Sequence, residues 1–272
     1  MKFIDRYKTA SCAAVLGAAS LTPLGAADVL AADSMQDKLD IGVSLNLDSF
    51  FGANPFLGGS YELDDGAGKN FGLDLTFYGI AWGFGTGGDS PNDWGQWTEA
   101  GAGVNFSFFD GQLNVNPQLG FTFGNLLSSG TSNDGVVGDG IVPNMTINLD
   151  TPRFIGQGYA GFYLPLRDEA DETVVVNPDT GATQSTNRYI HWWLNLGYKI
   201  NSILSVGGHV EELFLDGGTA TGSADGYFWY GPFIQVAKDN AGMRLSFGTD
   251  TTDDDDSFSA NDFYKLQFFY SF

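Results

Sequence analysis

The sequence predicts an all-β protein, a transmembrane, antiparallel up-and-down β-barrel of about twelve strands. Segments of about 8 to 15 residues alternate apolar with polar side chains, and clusters of Gly, Asp, Asn and Pro separate these segments. The chain has 38 glycines and 15% aromatic residues but only 17% charged residues. This composition suits a structure with many turns and an aromatic outer surface.

The first 31 residues are predicted to be a secretory signal peptide, and residues 32–272 are predicted to form the barrel domain. The segment starts with basic residues, continues with a stretch of small and apolar residues over 10–24, and ends with small-residue cleavage sites between 26 and 32. A transmembrane helix is the alternative interpretation. Pro23 and polar neighbours argue against it, because the uninterrupted stretch falls short of the roughly 20 apolar residues that span a bilayer.

The composition argues against several classes of function. Cys12 is the only cysteine and lies within the predicted signal peptide, so the exported chain is expected to have neither disulfides nor thiol chemistry. The formal net charge of −21 makes nucleic acid and anionic lipid head groups poor partners. The acidic run at 253–256 lacks the ligand spacing of a calcium loop. We therefore predict no metal site and no cofactor.

An even number of strands lets both ends of an antiparallel barrel lie on the same side. The predicted strands are 39–50, 55–63, 70–84, 96–109, 112–124, 142–150, 153–166, 188–200, 203–215, 226–238, 242–250 and 261–272. Short connections follow every second strand, and long ones lie at 85–95, 125–141, 167–187, 216–225 and 251–260. The first outer connection departs from this pattern, because it is only residues 51–54. Short turns that alternate with long loops are typical of bacterial outer-membrane barrels.

The dipeptide Asp110-Gly111 suits a two-residue type I′ hairpin turn, and this turn sets the register of the strands on either side. The pairs predicted on one face are all apolar: Phe108 with Leu113, Phe106 with Val115, Val104 with Pro117, Ala102 with Leu119 and Ala100 with Phe121. The opposite face is polar. A slip of one residue would mix the two faces, so the register is strongly specified.

A two-residue turn at Asn201-Ser202 would place apolar residues opposite polar ones. A three-residue loop with a β-bulge restores apolar pairing. The sequence therefore predicts this bulge, with Ile200 opposite Leu204, Tyr198 opposite Val206 and Leu194 opposite Val210.

The last predicted strand has one wholly apolar face. That face consists of Tyr264, Leu266, Phe268, Tyr270 and Phe272. The strand resembles the C-terminal strand of Gram-negative outer-membrane β-barrels, which ends in Phe with apolar or aromatic residues at every second position before it. The resemblance implies localisation in the outer membrane, recognition of these five residues by the barrel-assembly machinery, and contact with outer-membrane lipid and lipopolysaccharide. It leaves the oligomeric state open.

If the apolar face meets lipid, polar and aromatic side chains line the lumen. The pore-lining residues predicted are Asp74, Glu99, Asn116, Arg153, Tyr159, His191, Trp193, Lys199, His209, Glu211, Trp229, Arg244 and Lys265. With the further inward acids Asp40 and Glu62, acids modestly outnumber bases, so a pore would prefer cations or neutral polar solutes. The aromatic members could stack on ring-shaped solutes or fill a narrow barrel.

Three functions are consistent with this pattern. The leading hypothesis is a small porin-like channel for passive diffusion of small hydrophilic solutes, with no enzymatic activity. The first alternative is a closed structural or adhesion barrel whose lumen is plugged by aromatic residues. The second is a hydrolase that uses His209 and Glu211. The His-x-Ser pattern of outer-membrane phospholipases is absent, because the residue two positions after His191 is Trp193 and the one two positions after His209 is Glu211. No catalytic residue is assigned.

Overall fold

The computed structural model describes residues 37–65, 71–83, 97–124, 127, 136–166, 175–177, 182–183, 188–216, 223–252 and 262–272. The predicted signal peptide lies outside these residues. No helix among them is long and apolar enough to cross a membrane.

Within these ranges, twelve antiparallel strands close into a barrel, and two short strands form a separate hairpin. In chain order the strands are β1 (Leu39–Asp48), β2 (Gly52–Asp64), β3 (Phe71–Trp82), β4 (Trp97–Phe108), β5 (Leu113–Gly124), β6 (Val136–Asp150), β7 (Phe154–Pro165), β8 (Val175–Asn177), β9 (Ala182–Thr183), β10 (Arg188–Lys199), β11 (Leu204–Asp216), β12 (Ser223–Lys238), β13 (Ala241–Asp250) and β14 (Asp262–Ser271). Each barrel strand pairs with the next barrel strand along the chain, so β7 pairs with β10, and β14 pairs with β1 to close the ring. The predicted all-β barrel of twelve strands is confirmed.

The barrel forms because each strand presents one apolar face and one polar face. Large apolar side chains such as Leu57, Phe162 and Leu196 point outward and are about half exposed. Asn105, Asn116 and the other polar partners on alternate positions point inward. In lipid every backbone polar group must be paired within the protein, and closing the sheet leaves no unpaired strand edge.

The Asp110-Gly111 hairpin has the predicted register. Phe108 pairs with Leu113, Phe106 with Val115, Ala102 with Leu119 and Ala100 with Phe121. The φ angles of Asp110 and Gly111 are +56° and +80°, as a type I′ turn requires. Glycine carries such a positive φ without steric cost.

The three-residue loop after β10 also has the predicted pairing. Tyr198 pairs with Val206 and Leu194 with Val210. The amides of two successive residues, Ile200 and Asn201, both donate to the carbonyl oxygen of Leu204, at 2.9 and 3.3 Å. Ile200 and Asn201 therefore lie opposite the single residue Leu204. Two residues of one strand opposite one residue of the other is the pattern of a β-bulge.

Three features of the loops differ from the predictions. β6 begins at Val136 instead of residue 142, because the Gly138-Asp139-Gly140 segment continues the strand with φ +73° at Gly138. The segment predicted as loop 167–187 contains the β8–β9 hairpin. The connection between β1 and β2 is only Ser49–Phe51.

The two ends of the barrel are distinct. The turn end holds Leu39, Phe272 and the short turns at 109–112, 151–153, 200–203 and 239–240. The opposite end, where β1 leads into β2, is the loop end.

Candidate functional site

The barrel encloses a cavity of about 2110 Å³. Its lining includes Asp37 and the Asp239-Asn240 turn, so the cavity reaches the turn end. Its inner end is lined by Trp82 and His191. Most of the lining side chains between these limits are polar, as expected from the inward face of the strands.

Amide and hydroxyl side chains connect to one another along the β3–β5 wall of the cavity. Asn105 Nδ2 donates to Asp74 Oδ2 at 2.8 Å, Thr76 Oγ1 donates to Asn116 Oδ1 at 2.9 Å, and Gln118 Nε2 donates to Thr76 Oγ1 at 3.1 Å. These amide and hydroxyl groups can exchange their mutual hydrogen bonds for hydrogen bonds to water or to a hydrophilic solute. The wall is therefore suited to a polar solute in the cavity.

Arg244 extends across the lumen. Its side chain is 6% exposed and belongs to β13, yet Nη1 donates to Gln157 Oε1 on β7 at 2.6 Å. These two strands lie four places apart in the ring. Nε and Nη2 donate to Gln235 Oε1 at 3.0 and 2.5 Å, and the guanidinium carbon lies 5.0 Å from the Phe233 ring centroid. Arg244 therefore narrows the cavity and adds a positive charge to it.

Glu211 is the centre of a buried charge network. Its side chain is 1% exposed. Oε1 lies 2.9 Å from His191 Nε2 and accepts a hydrogen bond from Tyr227 OH at 2.9 Å. Oε2 accepts from Lys265 Nζ at 2.6 Å and lies 3.1 Å from His209 Nε2. The Glu211 carboxylate thus balances the positive charge of Lys265 and holds the side chains of His191 and His209 in position.

This network differs from a catalytic dyad. His209 Nδ1 lies 2.9 Å from Asn195 Oδ1. Among the described residues, neither histidine has a hydrogen bond to a serine or threonine hydroxyl, although a hydrolase of the predicted kind needs a nucleophile next to its base. Lys265 also occupies Glu211 Oε2.

Glu99 is a second buried carboxylate with different partners. Its side chain is 2% exposed. Oε1 accepts a hydrogen bond from Tyr78 OH at 2.5 Å, and Oε2 accepts from Tyr163 OH at 3.1 Å. Tyr159 OH lies 3.1 Å from Tyr163 OH, and Asn144 Nδ2 donates to Tyr78 OH at 2.8 Å. All of these donors are neutral.

Aromatic residues pack together inside the barrel above the cavity, toward the loop end. We call this group the aromatic plug; it consists of Phe50, Phe51, Trp82, Trp97, Tyr163, Tyr189, Tyr227, Trp229 and Phe263. The Phe51 ring lies 5.0 Å from Trp82 on β3, and the Phe50 ring lies 4.9 Å from Tyr227 on β12. β3 and β12 are five places apart in the ring, so the two phenylalanines span the barrel.

The side chain of Asp48 holds the loop Ser49–Phe51 in this inward position. Asp48 Oδ1 accepts hydrogen bonds from the amides of Phe50 at 3.0 Å and Phe51 at 2.5 Å. Asp48 Oδ2 accepts from Asn54 Nδ2 at 3.0 Å, and Asn54 Oδ1 accepts from the amide of Gly83 at 2.9 Å. The plug residues of this loop were not predicted. The available signal was a pair of phenylalanines in a connection too short to be an external loop.

The structure brings most of the predicted lumen residues together. Those that line the cavity are Glu99, Asn116, Tyr159, His191, Trp193, His209, Arg244 and Lys265. Asp74 is half-buried against Asn105 on the same wall. Glu211 and Trp229 are buried in the charge network and in the aromatic plug.

Two predicted lumen residues lie elsewhere. Arg153 is exposed in the turn before β7, because that strand begins one residue later, at Phe154. Lys199 forms an ion pair with Asp150 at the turn end. Neither residue lines the cavity, so the prediction that they line the lumen is corrected.

The five residues of the predicted assembly signal lie on the outward side of β14. The side chains of Tyr264 and Phe272 are each 61% exposed, and Phe268 and Tyr270 are also exposed. Leu266 is half-buried.

A closed twelve-stranded antiparallel barrel with an apolar outer face, a polar lumen and short turns at one end defines a porin-like outer-membrane β-barrel. The chain belongs to a family of unknown function (DUF6733), whose model matches residues 11–272. No curated protein matches the chain.

Solved outer-membrane channels are similar in fold. An outer membrane channel from Pseudomonas putida F1 is 11% identical with a TM-score of 0.50, and the match covers 86% of this chain and 96% of that one. The NanC porin is 12% identical with a TM-score of 0.47, covering 85% and 98%. The KdgM porin is 12% identical with a TM-score of 0.41, covering 86% and 99%.

Proposed function

We propose that the protein is a narrow outer-membrane channel through which small neutral or cationic hydrophilic solutes diffuse passively, without catalysis. The observation that carries this proposal is the polar cavity of about 2110 Å³ that reaches the turn end. In outer-membrane barrels the short turns face the periplasm, so this cavity would open to the periplasm.

The charges around the cavity support a preference for cations. Its lining includes the acids Asp37, Asp40, Asp48, Glu99 and Asp239 and the bases Arg244 and Lys265. Lys265 is already paired with Glu211. A lumen with an excess of carboxylates concentrates cations and repels anions.

The aromatic plug supports a low conductance. Phe50 and Phe51 stand between the cavity and the loop end, so a solute passes only where these rings leave space or move aside. The same observation favours the second candidate function, a closed structural barrel.

We also propose how the protein reaches the outer membrane. The signal peptide, residues 1–31, would be removed on export, and the barrel-assembly machinery would recognise the outward residues of β14. The apolar outer face would then contact outer-membrane lipid and lipopolysaccharide.

Single-channel recording of the refolded protein in a planar bilayer tests the proposal. Under a salt gradient we expect small, stable conductance steps with a reversal potential that indicates cation preference. If protein that is demonstrably folded and inserted shows no conductance steps, the channel function is contradicted and the closed structural barrel is favoured.

We expect the double substitution Asp40→Asn and Asp74→Asn to reduce cation preference. Both acids lie on the turn-end half of the lumen, and removing two negative charges weakens the local potential there. The reversal potential under a salt gradient measures this shift. Asp110→Asn changes the same kind of charge in an exposed turn and serves as the control. An equal shift in the control would mean that selectivity arises outside the lumen.

A further inference from the structure

We propose that the inner end of the cavity binds an organic ammonium ion, with its charge against Glu99 and its carbon atoms against Tyr78, Trp82 and Tyr159. This inference names a solute class for the channel and so rests on the proposed function. All four side chains line the same cavity.

In the described part of the barrel, the Glu99 carboxylate has no positively charged partner. Both of its oxygens accept hydrogen bonds from tyrosine hydroxyls, Tyr78 OH at 2.5 Å and Tyr163 OH at 3.1 Å. In the part of the chain that the structure describes, no lysine, arginine or histidine lies within 4.0 Å of this carboxylate. Burying an unpaired carboxylate is costly, and a cation from outside the protein removes that cost.

Glu211 contrasts with Glu99 in its partners. That carboxylate is equally buried, and the protein supplies its counter-charge through Lys265 Nζ at 2.6 Å. His191 and His209 also contact Glu211. Of the two buried glutamates among the described residues, the barrel therefore neutralises one with its own side chains and leaves the other facing the cavity with neutral donors only.

Among the described residues, Asn144 offers an acceptor without a donor beside Tyr78, whose hydroxyl donates to Glu99. Asn144 is 7% exposed and lines the cavity. Its Nδ2 donates to Tyr78 OH at 2.8 Å, while its Oδ1 is buried and has no hydrogen-bond partner among the described residues. A buried acceptor without a donor indicates that a donor comes from a ligand. An ammonium group supplies N–H donors to both Glu99 and Asn144.

The aromatic surroundings favour an organic cation over a metal ion. Tyr78 and Tyr159 reach the Glu99 cluster through their hydroxyls, and their rings and Trp82 form the walls beside it. Aromatic faces attract alkylammonium groups through cation–π interactions. A hard metal ion prefers several oxygen ligands of higher charge, and the described residues contain no group of three or more His, Cys, Asp or Glu that could hold one.

Calorimetric titration of the refolded barrel in detergent with n-butylammonium chloride tests the site. We expect saturable binding of n-butylammonium and none of n-butanol, which has a similar shape and no charge. Glu99→Gln is expected to weaken binding at least tenfold, whereas Asp110→Asn, the same charge change in an exposed turn, is expected to leave it unchanged.

Equal binding by the Glu99→Gln barrel, or equal binding of n-butanol, would overturn the proposal. Folding of each variant is checked by its migration on an unheated gel. If Glu99→Gln does not fold, Asn144→Leu provides the test, because it removes the free acceptor and keeps the carboxylate; undiminished binding then overturns the site.

This titration is independent of conduction. A barrel that conducts but does not bind n-butylammonium would support the channel function and contradict the ammonium site. A barrel that binds n-butylammonium but shows no conductance steps in the bilayer would support the ammonium site and contradict the channel function.

Discussion

Replacing Phe50 and Phe51 by alanine will raise the single-channel conductance of the barrel by about threefold or more, because the narrowest cross-section sets conductance. The two rings span the lumen between Trp82 on β3 and Tyr227 on β12. Without them, the polar cavity is expected to continue to the loop end. Planar-bilayer recording measures the change, and swelling of liposomes in small sugars provides a second readout.

Phe162→Ala is the matched control for this prediction. Phe162 lies on β7 with its ring on the outward face, 48% exposed, so its removal changes the lipid-facing surface and not the lumen. Its conductance is expected to equal that of the unmodified barrel. A folded Phe50→Ala and Phe51→Ala barrel with unaltered conductance would show that these rings do not limit passage.

Glu211→Ala is expected to lower the free energy of unfolding by about 3–5 kcal/mol, the range for breaking a buried ion pair by removing one partner. The substitution leaves Lys265 without its carboxylate and leaves His191 and Tyr227 without their shared acceptor. Glu211→Gln keeps an acceptor of the same shape and is expected to cost less. Urea unfolding in lipid vesicles, followed by tryptophan fluorescence, measures both.

The adjacent glutamate offers a control on the other face of the same strand. Glu212 accepts one hydrogen bond, from Trp192 Nε1 at 2.5 Å. Glu212→Ala is therefore expected to lower stability by less than Glu211→Ala, and by no more than about 3 kcal/mol, the upper end for a hydrogen bond to a charged group. Equal losses at positions 211 and 212 would contradict a special role for the buried network.

The strands and their register were predictable because they depend on local patterns. Alternation of apolar and polar residues is a property of each segment, and Asp110-Gly111 determines its hairpin through backbone preferences that neighbouring strands do not alter. The start of β6 could not be predicted from its local composition. Gly138-Asp139-Gly140 has the composition of a turn, yet Asp139 Oδ2 accepts a hydrogen bond from the amide of Leu127 within the folded barrel.

The inward-facing residues were largely predictable, but their partners were not. Glu99 and Glu211 are the same residue type on the same face of the sheet. Only the closed ring places Lys265 beside Glu211 and Tyr163 beside Glu99, because each of these two contacts joins strands three places apart. Arg153 was misassigned because alternation does not show at which residue a strand begins.

The sequence by itself determined the number of barrel strands, the face that most strand residues occupy and the register of the hairpins, since these follow from short-range periodicity and turn chemistry. The tertiary structure alone decided that Phe50 and Phe51 turn inward and that Arg244 crosses to Gln157. These contacts join residues that are distant in the chain, and Arg244 and Gln157 lie on strands four places apart in the ring. They depend on the diameter and closure of the barrel, which no single segment encodes.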